Sequence, residues 1–319
     1  MLKTFLLAAS VFALAAGPIS AQTRAAAPPH ASAAARGVAK FQIGRFQLFA
    51  LSDGTLPLDV DPLLKGAPKA EIDALLDREF QGRTVETSIN AYLVDTGDRQ
   101  ILVDAGAGDL FGAFGGKLMQ SLAAAGYSAG DVDDILVTHI HTDHSGGLTR
   151  GGRIAYPNAT VHAGAADEAF FLDGARDHGH AAEARHIEEA MKTVEPYRRV
   201  GRLATFRGAT QLFPGVSARP APGHTPGHAV YRIESEGQSL EFWGDLIHVG
   251  AVQMPRPEIT IAFDVDQDAA RAERARLFSA AGRDRTLVAA AHLNFPGVGR
   301  VRPEGQGYVW VPAPHRYHD

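Results

Sequence analysis

Cysteine is absent from all 319 residues of the chain. No disulfide can form in any compartment, so stability must come from the core and from any bound metal. The same absence removes thiolate both as a metal ligand and as a nucleophile. Basic blocks are missing too. Formal charge is −5, which offers no electrostatic case for binding nucleic acid. Beyond the N-terminus no run is long and apolar enough to span a bilayer. What remains is ordinary globular composition, 45% apolar and 21% charged, in a chain long enough to bury a full core as one large domain or two medium ones.

The concentrated apolar stretch is N-terminal. Lys3 precedes an apolar run over residues 5–16, then Gly17-Pro18 and the small-residue exit Ile19-Ser20-Ala21. This reads as a secretory signal peptide over 1–21, cut after Ala21. The competing reading is an uncleaved anchor, for which the run is short. Residues 22–37, rich in Ala, Pro, Ser and Arg, read as a flexible leader. Residues 38–319 show no composition break and are expected to form one domain, exported to the periplasm or secreted, with no membrane contact once the signal is removed.

Along that domain the periodicity predicts a hairpin over 41–51 ending at Ser52-Asp53-Gly54, and an irregular loop over 57–68. It then predicts a helix over 69–80 with Ile72, Leu75, Leu76 and Phe80 on one face, and a second hairpin over 89–103 closing on Asp104-Ala105-Gly106. Helices follow over 115–125, 180–197 and 267–281, and strands over 135–137, 159–163, 216–221, 229–234, 239–243 and 286–291. Hairpins are as frequent as parallel crossovers, which excludes a simple doubly wound sheet and points to mixed sheets flanked by helices. His178, His180 and His186 lack ligand-like spacing and read as exposed.

The chemistry concentrates at residues 134–147, Asp-Ile-Leu-Val-Thr-His-Ile-His-Thr-Asp-His-Ser-Gly-Gly. A short apolar strand empties into a loop that carries His139, His141, Asp143 and His144 within six residues. That is a metal-ligand density, set against the plainer reading of a polar turn with solvated histidines. Further candidate ligands stand at later strand ends: His224 in Pro-Gly-His-Thr-Pro-Gly-His, Asp245 after Gly244, and His292. Loops at strand ends on a rigid sheet are where a polynuclear site is readily assembled. Ser145 adjoins the cluster with nothing to mark it as an activated nucleophile, so a loop or capping role is expected.

This pattern resembles the metallo-β-lactamase superfamily, whose H-x-H-x-D-H motif followed by His, Asp and His is matched at every position. The resemblance implies an αββα sandwich of two mixed β-sheets flanked by helices, with the site at one edge. It implies two divalent ions: His139, His141 and His224 on one, Asp143, His144 and His292 on the other, and Asp245 bridging. Imidazole and carboxylate ligands without sulfur suit Zn2+, with Mn2+, Co2+ or Fe2+ as alternatives. A hydroxide held between the ions would be the nucleophile, with Asp143 accepting a hydrogen bond from it and aiming it.

Within the superfamily, thiol-bridged β-lactamases need a cysteine where this chain has Asp245. Glyoxalase II-like thioesterases carry a helical C-terminal domain, whereas this chain ends soon after His292. RNA-processing members need a basic extension, which is also missing. At finer grain the chain resembles the methyl parathion hydrolase group, through Ala50-Leu51-Ser52-Asp53-Gly54-Thr55, residues 223–228, Gly244-Asp245-Leu246-Ile247, residues 250–253 and His292-Leu293-Asn294-Phe295-Pro296-Gly297. One position departs. His248 stands where parathion hydrolases carry an apolar residue, near where homoserine-lactone lactonases carry a tyrosine. It would either contact the substrate carbonyl or leaving alkoxide, or hydrogen-bond a metal ligand.

By position relative to that group, Leu63, Phe111, Phe171, Ile261 and Phe263 are expected to wall a flat pocket. Such a slot suits aromatic lactones such as dihydrocoumarin, acyl-homoserine lactones or aryl esters, with organophosphate hydrolysis as a side activity. The alternatives are a phosphotriesterase as main activity and a non-catalytic, exported, metal-dependent binding protein. The resemblance also implies a homodimer, formed through the apolar loop near Leu58 to Leu64.

Overall fold

The structure, a computed structural model, describes residues 37–173 and 183–315. The expected signal peptide, the leader up to residue 36, His178 and His180 lie outside the described residues.

Two seven-stranded sheets are each laid down in chain order. The first runs β1 (Val38–Ile43), β2 (Phe46–Asp59), β3 (Thr84–Asp95), β4 (Gln100–Val103), β5 (Asp134–Leu136), β6 (Thr160–Gly164) and β7 (Leu203–Phe206). The second runs β8 (Thr210–Phe213), β9 (Val216–Pro220), β10 (Ala229–Ser235), β11 (Gln238–Phe242), β12 (Leu287–Ala289), β13 (Val298–Glu304) and β14 (Gly307–Pro312). Both sheets are mixed. β1 to β4 pair antiparallel and β4 to β7 parallel, while in the second sheet only the β11–β12 pair is parallel.

Period-two alternation decides which face each residue serves. Leu48, Ala50, Val94 and Val103 of the first sheet meet Val216, Tyr231, Leu240 and Phe242 of the second in an inter-sheet core. Their neighbours Phe49, Leu51, Leu93 and Leu102 point the other way, against Leu118 and Leu122 of the helix Leu118–Ala124 and Ala190 of the helix Ala184–Thr193. Beyond the second sheet, Val230 and Val288 pack on Leu277 and Phe278 of the helix Gln267–Asp284. Helix, sheet, sheet and helix form the layers of an αββα sandwich. Among the described residues no helix is long and apolar enough to cross a membrane.

Several sequence expectations are corrected here. Asp53 is not at a strand terminus. β2 continues through it to Asp59 with a register shift between Ser52 and Gly54, a bulge that turns the Asp53 carboxylate onto the amides of Ala107, Gly116 and Leu118. The first helix is Lys69–Arg78. Phe80 lies past its end at φ 56° and is 99% exposed instead of joining the buried face. Leu58 lies on β2 and not in an irregular loop, and both it and Leu64 are buried against Ile72, Leu76, Val249 and Ile261. The helix expected over 180–197 is two, Ala184–Thr193 and Glu195–Arg199, with Pro196 opening the second, where a missing N–H costs nothing.

Candidate metal centre

The histidine loop leaves β5, Asp-Ile-Leu, a strand buried along its length between parallel neighbours. Thr138 N donates to Asp104 Oδ1 at 2.7 Å, Ile140 N to Asp167 Oδ2 at 3.0 Å, and Ala105 N to the His144 carbonyl at 2.8 Å. The short helix Thr142–Ser145 then presents Asp143 and His144, and the Ser145 hydroxyl caps back onto the His141 carbonyl. This turn is pressed against its neighbour: a Cβ on Gly147 would stand 1.9 Å from the Ala105 carbonyl oxygen. The loops after β9, β11 and β12 deliver His224, Asp245 and His292 to the same edge. Asp167 ties two of these loops together by also accepting from Thr225 Oγ1 and Gly227 N.

All seven residues that the sequence singled out as ligands converge. His139, His141, His224 and Asp245 form one group, and Asp143, His144 and His292 another, each with its ligand atoms within 4.8 Å of one another. Asp245 divides its two oxygens between them. Oδ2 lies 3.2 Å from His224 Nε2 and 3.6 Å from His139 Nε2, while Oδ1 lies 2.9 Å from His144 Nε2 and 3.0 Å from His292 Nε2. Asp143 Oδ2 stands 3.4 Å from His292 Nε2.

The donor atoms fit divalent cations. His139 Nε2, His144 Nε2 and Asp245 Oδ1 are buried without a hydrogen-bond partner, which is costly unless something else satisfies them. The rings are held from behind, as metal-binding imidazoles are. His144 Nδ1 bonds Asp104 at 2.8 Å, His224 Nδ1 bonds Asp264 at 2.9 Å and His292 Nδ1 bonds the Ser88 carbonyl at 2.8 Å. His139 Nδ1 lies 3.2 Å from Thr138 Oγ1. His141 is reversed, with Nε2 3.2 Å from Glu183 and Nδ1 3.0 Å from His224 Nε2.

Burial and charge oppose each other here. Burial alone would raise the Asp245 carboxyl, but the imidazoles of His144, His292, His248 and His139 hold it well below the ordinary range. Burial would lower His224, yet the carboxylates of Asp245 and Asp264 lift it to about 9. For His141 burial wins over the bond to Glu183, and its value falls to about 4. The set can hold divalent ions with nitrogen and carboxylate ligands on either side of one shared carboxylate.

His248 Nε2 lies 2.9 Å from Asp245 Oδ2, and its ring stacks on His292 with centroids 5.0 Å apart. Its Nδ1 is buried without a partner. This places His248 behind the shared carboxylate. The proposed pocket walls fare unevenly. Phe263 stands beside His248, with ring centroids 5.9 Å apart, and Leu63 packs partly buried against the same cluster. Phe111 sits half-buried on the turn Gly108–Phe114. Phe171, edge-on to His141, and Ile261 are fully buried and present no surface to a ligand. A cavity of about 810 Å³ does reach His248 and His292, but its apolar wall is Leu75, Val85, Ala251, Met254 and Trp310.

Several roles at the site are not readable from the sequence, where Asp104 is visible only as a carboxylate closing a hairpin. Asp104 and Asp264 each support a histidine 40 residues away, and Glu183 one 42 residues away. His186, expected to be exposed, is half-buried, with its ring tilted against His141 at a centroid distance of 4.3 Å, and lies 3.0 Å from Thr142 Oγ1. His228 was visible only as the end of a motif. It accepts the Asp245 N–H at Nε2 (3.1 Å) and donates from Nδ1 to the Ala221 carbonyl (3.0 Å). The alternation of His with Gly and Pro over 223–228 was the available signal for it.

The family model of the metallo-beta-lactamase superfamily matches residues 84–292, about two thirds of the chain. Among solved structures, the hydrolase AbOPH of the β-lactamase superfamily is 34% identical with a TM-score of 0.83, over 88% of this chain and 98% of that one. AidC, a dizinc quorum-quenching lactonase bound to the product N-hexanoyl-L-homoserine, is 28% identical with a TM-score of 0.79, over 87% and 98%. An N-acyl homoserine lactonase from a Bacillus species is 28% identical over 175 residues, 49% of this chain and 62% of its own length. Family match and assembled ligand set agree that the chain is a metal-dependent hydrolase of the metallo-β-lactamase superfamily.

Proposed function

We propose that this protein opens lactones, and cleaves aryl esters, with two divalent ions, zinc before manganese, cobalt or iron. His139, His141 and His224 would hold one ion and Asp143, His144 and His292 the other, with Asp245 shared. The observation that carries this is the division of the two Asp245 oxygens between two separate nitrogen sets. When bound, the ions supply the Lewis acidity that activates water and polarises the substrate carbonyl.

The chain's own groups do the rest. Asp143 is more open than Asp245, its side chain 16% exposed against 4%, and it is placed to accept a hydrogen bond from the attacking water and orient it. His248 braces Asp245 through Oδ2, which keeps the shared carboxylate from rotating. Phe263 beside it offers a ring face to a flat substrate. Likeness to a lactonase that retains an opened homoserine lactone supports a lactone ring over a phosphotriester. Export guided by residues 1–21 belongs to the same proposal, and the mature chain would start at Gln22.

The test is a substrate panel on purified, metal-analysed protein: dihydrocoumarin, acyl-homoserine lactones, an aryl acetate and methyl parathion. Lactone or ester turnover should dominate, and His248→Leu should reduce it. A preference for methyl parathion would overturn the substrate assignment. Full activity with no bound transition metal, surviving chelation, would overturn the metal reading.

A further inference from the structure

Four of the five imidazoles in the ligand set direct Nε2 inward because Nδ1 is engaged by Thr138, Asp104, Asp264 or Ser88. Ser88 lies on β3, Asp104 and Thr138 follow strands, and Asp264 stands on the loop leading into the helix Gln267–Asp284. The fifth partner is different. Glu183 directly precedes the helix Ala184–Thr193, is buried, and meets His141 at Nε2 instead of Nδ1. The same helix grips the next residue of the loop: the Thr142 hydroxyl donates to Glu189, which Arg185 holds at 2.8 Å, and His186 covers the His141 ring.

We propose that Glu183 is the positioning residue for His141, making it the one histidine of the set that offers Nδ1, and that residue 183 thereby governs only the His139/His141/His224 ion site. The inference rests on the two-ion reading above. A neutral imidazole carries one N–H, so a carboxylate accepting at Nε2 leaves Nδ1 bare and facing the group. With Glu183 gone, the proton is free to sit on Nδ1, where it blocks coordination. The second site, built on Asp143, His144 and His292, has its own supports at Asp104 and Ser88, and its imidazoles do not use Glu183. The two ion affinities should therefore respond unequally to a change at residue 183.

Metal-free wild type, Glu183→Leu and Glu183→Gln would be titrated with cobalt(II) against a competing chelator, following the visible absorption of the bound ion. Circular dichroism of each metal-free protein checks the fold. Wild type should take up two ions in two steps. Glu183→Leu should weaken one step by about 10- to 100-fold and leave the other unchanged. Glu183→Gln, whose carbonyl can still accept from Nε2–H, should lose less. If the leucine variant does not fold, the glutamine variant carries the comparison. Unchanged affinity at both steps, or equal loss at both, overturns the role of Glu183 while leaving the two-ion reading standing. A wild type that binds no cobalt overturns that reading and this inference with it.

Discussion

His228 offers a measurement of how tightly the backbone of the shared carboxylate is held. Its ring is buried, accepts from the Asp245 N–H and donates to the Ala221 carbonyl, so both nitrogens are committed in the neutral form. His228→Ala removes the acceptor of a buried amide, at about 1–3 kcal/mol, and the donor to a carbonyl, at about 1 kcal/mol. The cavity left by the ring adds about 1–2 kcal/mol. The sum, on the order of 4 kcal/mol, should appear as a lower urea midpoint of chelator-treated protein at pH 7.5.

The acid limb gives a second, independent signature. Burial first, with the neighbouring His224 next, lowers His228 from 6.5 to about 3. A lowered folded value means stability that is fully present above pH 6.5 and is lost as pH falls toward 3, because the unfolded chain takes up the proton first. The slope is about 1.4 kcal/mol per pH unit, so wild type should lose about 2 kcal/mol from this residue between pH 6.5 and 5. The alanine variant has no such group. The gap between wild type and variant should therefore narrow by about 2 kcal/mol over that interval. A gap that is constant with pH, or below about 1 kcal/mol at pH 7.5, would refute the reasoning.

Asp53→Asn turns an NH2 toward at least one of three amide donors, so unfolding free energy should fall by about 3 kcal/mol in urea titration, with no need of a metal. Arg274 is fully buried, donates to the Leu246 and Ile259 carbonyls and faces Asp264 at 3.6 Å. Arg274→Met strands all three and should cost about 3–5 kcal/mol by the same titration. Gly244 has φ +53°, and a Cβ there would stand 2.7 Å from Thr138 Oγ1 and 2.8 Å from His228 Nε2. Gly244→Ala should therefore cost about 2 kcal/mol or more and lower metal content in elemental analysis. At an ion concentration 100 times its Kd, a bound ion would stabilise by about 2.7 kcal/mol, so chelation should lower the melting temperature by several degrees in calorimetry.

The candidate ligands were legible because they are local or stand at strand ends marked by Gly and Asp: the cluster over 139–144, then His224, Asp245 and His292. The residues that hold them were not. Glu183, Asp264 and Ser88 reach their histidines across sequence separations of 42, 40 and 204, and no local period encodes such pairings. The long strands with clean alternation were predictable, whereas β13, Val-Gly-Arg-Val-Arg-Pro-Glu, and the short β7 and β8 were missed. β7 and β8 are four residues each, too short for a period to show, and β13 breaks its alternation with Gly299 and Pro303. Arg274 looks like every other arginine in a charged helix, and only tertiary packing singles it out as buried. Phe80 errs in the other direction, since hydrophobicity placed it inside while a left-handed backbone turned it out.

The chain-order layout of the sheets has a consequence for kinetics. The strands of one seven-stranded sheet all lie before residue 207 and those of the other all lie from Thr210 onward, so residues 207–209 join two consecutive halves, which a small pairing of Leu64–Lys65 with Thr260–Ile261 also bridges. The first half contributes His139 to His144, and the second contributes His224, Asp245 and His292. Neither half holds a complete set, and the ligands meet only once the sheets have docked. Ions bound between the halves would act as rivets on a finished joint: with ligands drawn from both halves, they would slow its separation more than they speed its formation.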